Sequence, residues 1–396
     1  MGEPDGFILE GIIQVSRLLI YDTSNFMDFP IGGQLTSIGN FLRFLCEEHP
    51  ERTEKILLVG VTLHPEEIGR VKKRKLYGRQ VAFLPVAAAE RDLGNTTKSL
   101  RLQFLKGLLK CRKQLHITGK DCNYIHTPEA YGAVKLFCMH SRCVIFSHGS
   151  YFNMERGFRF FQKNVLVKKG FTAYLKWILK DADCILLLDK DSLRDYRPYN
   201  SKLVRVRNSV VCPEFPAEPE KSWEGRLLFV GRLSKDKRVE PIIRAVLEAE
   251  PDEAGKRLHL TIVGNGEEYR RLAGYEGERV HFVGAVAPGD VKRYMENADI
   301  LVMNSVFEGV PMTILEALSY GLPVISTKVG GIGEALHFGQ DSEETDGTAE
   351  GIRAAVRRIG EGYEIYSRNA YENSKAYDYR TVNRKVYRVL CRYWEG

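Results

Sequence analysis

Short apolar runs alternate with amphipathic segments along the chain, a pattern that predicts parallel sheets with crossover helices. In the first half the candidate strands are RLLIY (17–21), KILLVG (55–60), QVAFLPV (80–86), CNYIH (122–126), CVIFSH (143–148), CILLLD (184–189) and KLVRV (202–206). Helical stretches fall between most of them, at 34–46, 98–111 and 128–139. The second half repeats the theme with RLLFVG (226–231), LHLTIVG (258–264), RVHFVG (279–284), DILVMNS (299–305) and LPVIST (322–327). Its intervening helices are expected at 239–249, 267–273, 288–297 and 311–320, and an amphipathic, tyrosine-rich helix at 379–394 closes the chain.

Periodicity breaks in VCPEFPAEPEKSWEG (211–225), where three prolines and four glutamates suit an exposed linker. With 396 residues, too many for one core, the chain is expected to form two doubly wound α/β domains. The expected boundaries are 1–210 and 226–378, with 379–396 as the final helix. Ligands of open parallel sheets bind outside the carboxyl ends of the strands, so chemistry is sought in the loops that follow each strand.

Composition changes this picture little. The chain is 44% hydrophobic and 28% charged, ordinary for a globular α/β protein. No stretch approaches the ~20 apolar residues that span a bilayer, and the N-terminus does not read as a secretion signal. Eight cysteines, at 46, 111, 122, 138, 143, 184, 212 and 391, form no C-x-x-C pair, and several sit within apolar runs. They read as reduced core thiols of a cytoplasmic protein rather than a disulfide framework or zinc site. The net charge of +7 is too small for a dedicated nucleic-acid binder. Its excess is concentrated in Arg70–Lys75 and across Arg156–Lys180. Such patches suit an anionic membrane surface or a phosphorylated acceptor, and equally suit a solvated loop and helix face.

FEGVPMTILEALSYGLPVISTKVGGIGE (307–334) carries the strongest chemical signal. It follows a strand and enters a helix with Pro311 near its first turn. The unpaired N–H groups of a helix start make an anion site. Glu308 precedes that start and Glu316 lies within the helix, where carboxylates would bond sugar and ribose hydroxyls or simply complement the dipole. In FVGRLSKDKRVE (229–240), Arg232 and Lys237 follow a strand end, suited to a diphosphate or to a solvated basic turn. In the first half, Gly32 and Gly33 stand before a helix, where backbone can approach a phosphate or merely turn. His148 ends a strand and reads either as a site residue or as a core histidine. GNGEEY (264–269) is only a fragment of a dinucleotide fingerprint.

Together these residues resemble the retaining glycosyltransferases of family 4, within the GT-B fold of two Rossmann-like domains. The family pattern runs G-R-L-x-x-x-K, V-G-x-G, H-F-x-G, A-D, then E-G-x-P-x-x-x-x-E-A and a later G-G-x-x-E. The chain supplies each element in order, from Gly231 to Glu334. The resemblance implies transfer of a hexosyl unit from a nucleoside-diphosphate sugar, with retention and without a catalytic metal or other cofactor. UDP is preferred over GDP as the donor nucleotide. Arg232 and Lys237 would hold the diphosphate, helped by the backbone of Gly309, Val310, Pro311, Met312 and Thr313. Glu308 would meet the sugar and Glu316 the ribose, with the base near Gly264, Gly266 and Val283. Gly32 and Gly33 would approach the diphosphate from the opposite domain, His148 would sit beside the sugar, and the final helix would cross back onto the N-terminal domain.

Three departures stand out: Arg238 where the family often has glycine, Asn208-Ser209 in place of an Asn-Gly turn, and a short acidic stretch after Glu334 where a peripheral helix looks missing. The acceptor expected is a lipid-linked saccharide of envelope or exopolysaccharide assembly, met at the inner face of the cell membrane. An inactive homologue acting as a scaffold is the main alternative. An oxidoreductase is disfavoured by the missing third glycine of the fingerprint. A metal-dependent transferase would need Asp-x-Asp after a strand, and Asp181/Asp183 and Asp189/Asp191 read as strand punctuation. A phosphorylase or glycogen-type synthase shares the fold and differs in its acceptor.

Overall fold

The computed structural model describes residues 16–29, 32–90, 99–153, 165–213, 222–253 and 255–395. They fall into two compact units, one running to Arg207 and taking in Val382 onward, the other Asn208–Thr381.

In the first unit β1 (Leu18–Tyr21), α1 (Gly33–Glu48), β2 (Ile56–Thr62), β3 (Lys72–Leu76) and β4 (Arg79–Ala88) come first. They are followed by α2 (Leu100–Lys110), β5 (Cys122–Ile125), α3 (Pro128–Phe137) and β6 (Arg142–Ser147). The remainder is α4 (Val165–Asp181), β7 (Cys184–Leu187), α5 (Lys190–Tyr196) and β8 (Leu203–Arg205). The sheet order is β3-β4-β2-β1-β5-β6-β7-β8, parallel throughout except for β3. β1, β2, β5 and β7 are buried at every position, the mark of strands covered on both faces. Leu19, Val59, Ile145 and Leu187 join one core with Phe104, Leu108, Tyr131 and Ile178 of the helices. The eight cysteines are free, and five of them are buried.

β3 was not foreseen. Its residues are the basic run, whose charges hide any apolar period. It forms a hairpin with β4 through Tyr77 and Gly78, both at positive φ (45° and 80°), as a two-residue turn of the primed type requires. Lys72 donates to Glu67 over 2.7 Å, and Arg74 lies 3.5 Å from Glu67 with its guanidinium 4.3 Å from the Phe83 ring centroid. A lysine-rich edge strand also discourages pairing with another chain, which gives this run a purpose within the fold.

The second unit contains β9 (Arg226–Val230), α6 (Val239–Leu247), β10 (His259–Val263), β11 (Val280–Gly284) and α7 (Val291–Asn297). It continues with β12 (Ile300–Met303), α8 (Met312–Ser319), β13 (Val324–Ser326), β14 (Ser342–Glu344), α9 (Ala349–Glu361) and α10 (Tyr363–Ser374). Its sheet, ordered β11-β10-β9-β12-β13-β14, is wholly parallel. The acidic stretch after Glu334 supplies the edge strand β14, where buried Glu343 takes bonds from Arg358 Nε and Tyr366 Oη, both at 2.5 Å. Asp299, fully buried, accepts from Arg226 Nη2 (2.7 Å) and from the Arg226 and Glu224 amides, which ties the start of β12 to β9.

The last helix, α11 (Tyr379–Trp394), returns the chain to the first unit. Trp394 is buried and donates from Nε1 to the Ser16 carbonyl (2.9 Å). Arg142 donates to the Tyr393 carbonyl (3.0 Å), and the Tyr387 ring stacks on His49 at 4.0 Å. No helix among the described residues is long and apolar enough to cross a membrane.

Candidate functional site

In the second unit the loops after β9, β12 and β13 meet around Glu308. Its Oε1 accepts from Lys237 Nζ in a short ion pair and from Ser305 Oγ at 2.8 Å. Both members of the ion pair are largely buried, with side-chain exposures of 18% for Lys237 and 14% for Glu308. Oε2 has no partner among the described residues. Pro311 is the N-cap of α8, so the helix begins at Met312, one position later than expected. Val310 and Met312 turn their side chains onto a small core with Leu315, Ala335 and Tyr377. What they leave for a ligand is backbone. Asn208, the departure from Asn-Gly, is buried and donates from Nδ2 to the Val310 carbonyl (3.0 Å), so it braces this loop.

Glycines let the loops approach. Gly330 has φ 52°, and a Cβ there would lie 1.8 Å from the Glu308 carbonyl oxygen; at Gly331 it would lie 2.7 Å from that of Gly309. The G-G pair therefore seats the backbone that carries Glu308. Gly264 and Gly266 do the same elsewhere: a Cβ would meet the carbonyl oxygens of Gly231 at 1.8 Å and Leu233 at 2.2 Å. Their geometry is accounted for by packing of the β9 and β10 loops. Arg238 sits at φ 44°, which explains why glycine suits this position. It is not a spare cation for a ligand. Its Nε donates to the Asn304 carbonyl (2.9 Å), and Asn304 Nδ2 returns bonds to the carbonyls of Arg238 (3.1 Å) and Gly347 (3.0 Å).

Glu316, at the start of the second turn of α8, is half-buried and makes no side-chain hydrogen bond among the described residues. Burial pushes its carboxyl above the ordinary range. Arg232 is exposed and 3.9 Å from Glu267; it shares no bond with Lys237 or Glu308. Val283 is half-buried on β11, whose Gly284 carbonyl accepts from the Gly264 amide (2.8 Å). Gly309 is exposed, and Thr313 is half-buried in the first turn of α8. Exposed Phe307 beside Glu308 is an apolar rim residue that polarity-based reading passes over.

In the first unit Gly32, at φ 147°, caps α1, and Gly33 opens it; both are exposed, and a Cβ on Gly32 would meet nothing within 4 Å. Asp22, at the end of β1, accepts from Gln34 of α1, and burial raises its carboxyl to about 6. His148 follows β6 and is half-buried, with its Nε2 2.9 Å from His126 Nδ1 at the end of β5. Burial depresses His148 to about 3 and His126 well below the ordinary imidazole range, with His148 adding to the latter shift. Sequence reading missed Asp22 and His126. The signal was present: CNYIH and CVIFSH both end in histidine, and β5 and β6 are neighbours.

The aspartate pairs weighed for a metal are engaged in the fold. Asp183 Oδ2 accepts the Cys143 amide (2.8 Å), Asp181 Oδ2 the Tyr131 hydroxyl (2.6 Å), and Asp189 caps α5 by accepting the Ser192 amide (2.6 Å).

Two Rossmann-like units with the last helix returned to the first define a GT-B fold. Among solved structures, sucrose-phosphate synthase from Thermosynechococcus elongatus superposes with a TM-score of 0.74, covering 96% of this chain and 99% of that one at 17% identity. Anabaena HepE in complex with UDP-glucose gives 0.67, over 95% and 99%, at 16% identity. At the next level of detail, residues 224–360 match the family model of the glycosyl transferases group 1, so the second unit carries a domain of that family. The O-antigen biosynthesis glycosyltransferase WbnH of Escherichia coli is 29% identical over 236 residues, 59% of this chain and 64% of its own length. The lipopolysaccharide 1,6-galactosyltransferase of Salmonella typhimurium is 32% identical over 133 residues, 31% of this chain and 34% of that enzyme. The match thus spans under two thirds of these curated relatives.

Proposed function

We propose that this protein is a retaining glycosyltransferase that moves a hexosyl unit from a nucleoside-diphosphate sugar to a saccharide acceptor. The observation that carries the reading is the Lys237–Glu308 pair beside the start of α8, held by Gly330 and Gly331. Lys237 and the N–H groups at the helix start offer positive charge to a diphosphate. Arg232, exposed on the adjoining loop, swings in as a planar fork. Glu308 Oε2 meets a hydroxyl of the transferred sugar while Oε1 stays on Lys237. Glu316, half-buried and unpaired, takes the ribose hydroxyls. For Gly32, Gly33 and His148 of the first unit, the donor-side roles are those the family resemblance implies.

In the step itself, the bond from the anomeric carbon to the diphosphate oxygen breaks. The acceptor oxygen bonds to the same face of that carbon, and the acceptor's hydroxyl proton passes to the departing diphosphate. Positive charge from side chains and the helix start serves in place of a metal, so activity persists in EDTA. The UDP-glucose bound to HepE and the O-antigen biosynthesis of the WbnH relative favour UDP as the nucleotide and envelope polysaccharide as the pathway class.

The acceptor we favour is lipid-linked. On α4, Leu166 is 80% and Trp177 41% exposed, on a helix that also exposes Lys169, Lys176 and Lys180. An apolar-basic face of this kind suits an anionic membrane surface. The basic strand β3 adds less, since Lys72 and Arg74 are engaged with Glu67. Release of UDP from UDP-hexose by purified protein, raised by lipid-linked acceptor and insensitive to EDTA, tests the reaction. Salt-sensitive flotation with anionic vesicles tests the membrane contact. Release with none of the common donors would support an inactive homologue instead.

A further inference from the structure

His126 and His148 sit at the carboxyl ends of neighbouring strands and share one hydrogen across 2.9 Å, between His126 Nδ1 and His148 Nε2. A neutral imidazole has one donor nitrogen and one acceptor. The other nitrogen of His126, Nε2, is buried and finds no partner among the described residues. A hydrogen placed there would be an orphaned buried donor, which folded proteins avoid more strictly than an under-used acceptor. The hydrogen of His126 therefore belongs on Nδ1, where it is donated to His148 Nε2. With its Nε2 accepting, His148 must carry its own hydrogen on Nδ1.

We propose that His126 is a positioning residue that fixes His148 as the Nδ1–H tautomer, so that His148 offers a hydrogen-bond donor, not a base, to an oxygen of the bound sugar. The surroundings hold the pair in this arrangement. His126 stacks on Phe146 at 5.3 Å with 18° between planes, and its edge meets Tyr124 at 4.4 Å. The His148 ring lies 4.6 Å from Phe146. Desolvation keeps both rings uncharged near neutral pH. His148 Nδ1 meets no partner among the described residues, and the ring is only half-buried, so a ligand can reach it. A donor at this point agrees with a step in which the acceptor's proton goes to the departing diphosphate. The ligand's identity rests on the proposed glycosyl transfer; the tautomer does not.

Two-bond proton–nitrogen correlation spectra of the full chain labelled with 15N-histidine, assigned through His126→Asn and His148→Asn, read the tautomers directly. Both rings are expected as Nδ1–H. A His148 ring found as Nε2–H overturns the proposal, whatever the protein does to nucleotide sugars. With transfer established, His126→Phe should lower kcat by about 10-fold or more with KM for donor nearly unchanged, as for other partners that orient a working imidazole. It should also return His148 to the Nε2–H form favoured by free histidine. His126→Asn, whose Nδ2–H can still donate, should recover most of kcat. Equal losses in both variants would mark a merely structural role and overturn the positioning claim.

Discussion

Around Glu308 the second unit sets opposite charges against each other, whereas around His148 the first unit pairs two imidazoles, one buried and one half-buried, that carry none. The difference follows from how each site is walled. Lys237 and Glu308 lie on loops that keep some solvent, where an ion pair survives and stays responsive to an arriving anion. His126 stacks on Phe146 and meets Tyr124 edge-on, with His148 tilted against Phe146, where a charge would be too costly and only neutral hydrogen bonding is left. The charged region suits recognition of a diphosphate, and the neutral one suits orientation of a sugar.

The comparison can be broken first at its charged end. Glu308→Ala should reduce transfer by about 10²-fold or more while weakening donor binding only modestly, whereas Arg232→Ala should damage both. Steady-state kcat and KM with a nucleotide-release assay separate these, and near-full turnover in Glu308→Ala would remove it from the reacting sugar. Next comes the scaffold under that charge. Gly330→Ala places a Cβ 1.8 Å from the Glu308 carbonyl oxygen at φ 52°, and should destabilise the protein by about 2 kcal/mol or more in urea titration.

A smaller effect isolates backbone strain at Arg238. Both Arg238→Ala and Arg238→Gly delete the side-chain bonds to Asn304, but only alanine must stay left-handed at φ 44°. The glycine variant should be the more stable by about 1 kcal/mol. Equal midpoints would show that the strain is relieved by local movement.

The mildest test addresses the neutral end. His148 binds its proton at about 3 when folded and near the ordinary 6.5 when unfolded, so between these values the unfolded chain holds the extra proton. Its contribution is fully present above about pH 6.5 and is lost as pH falls toward 3. Asp22 runs the opposite way: raised from 3.8 to about 6, it is protonated in the folded chain, and its contribution is lost as pH rises through that window. His148→Asn should flatten the acid-side fall in the urea midpoint between pH 6.5 and 4. An unchanged slope would mean that His148 is charged in the folded protein.

The two regions also differed in how much the sequence revealed. Strands such as ILLVGVT and CILL were legible because buried parallel strands read as unbroken apolar runs. Glu308 and Lys237 were singled out by the family pattern they match, since taken alone they read as readily as a dipole-complementing acid and a solvated basic turn. β3 was hidden by its own lysines, and β14 by its brevity and acidity. The reason glycine suits position 238 stayed hidden because φ is invisible in sequence; the arginine there holds its guanidinium on Asn304. His126 went unremarked at the end of CNYIH and Asp22 just after RLLIY, since only the sheet order places β1, β5 and β6 side by side.

Thermal-shift titration of the wild type and Arg232→Ala with UDP, GDP, ADP and their sugar conjugates, without added metal, tests the central claim most directly. A ligand that binds only the folded state at ~100-fold excess over its dissociation constant adds about 2.7 kcal/mol, a readily visible rise in melting temperature. The account predicts a clear rise with one nucleoside diphosphate series, UDP foremost, sharply reduced in Arg232→Ala. No rise with any of them would contradict a nucleotide-sugar site around Lys237 and Glu308.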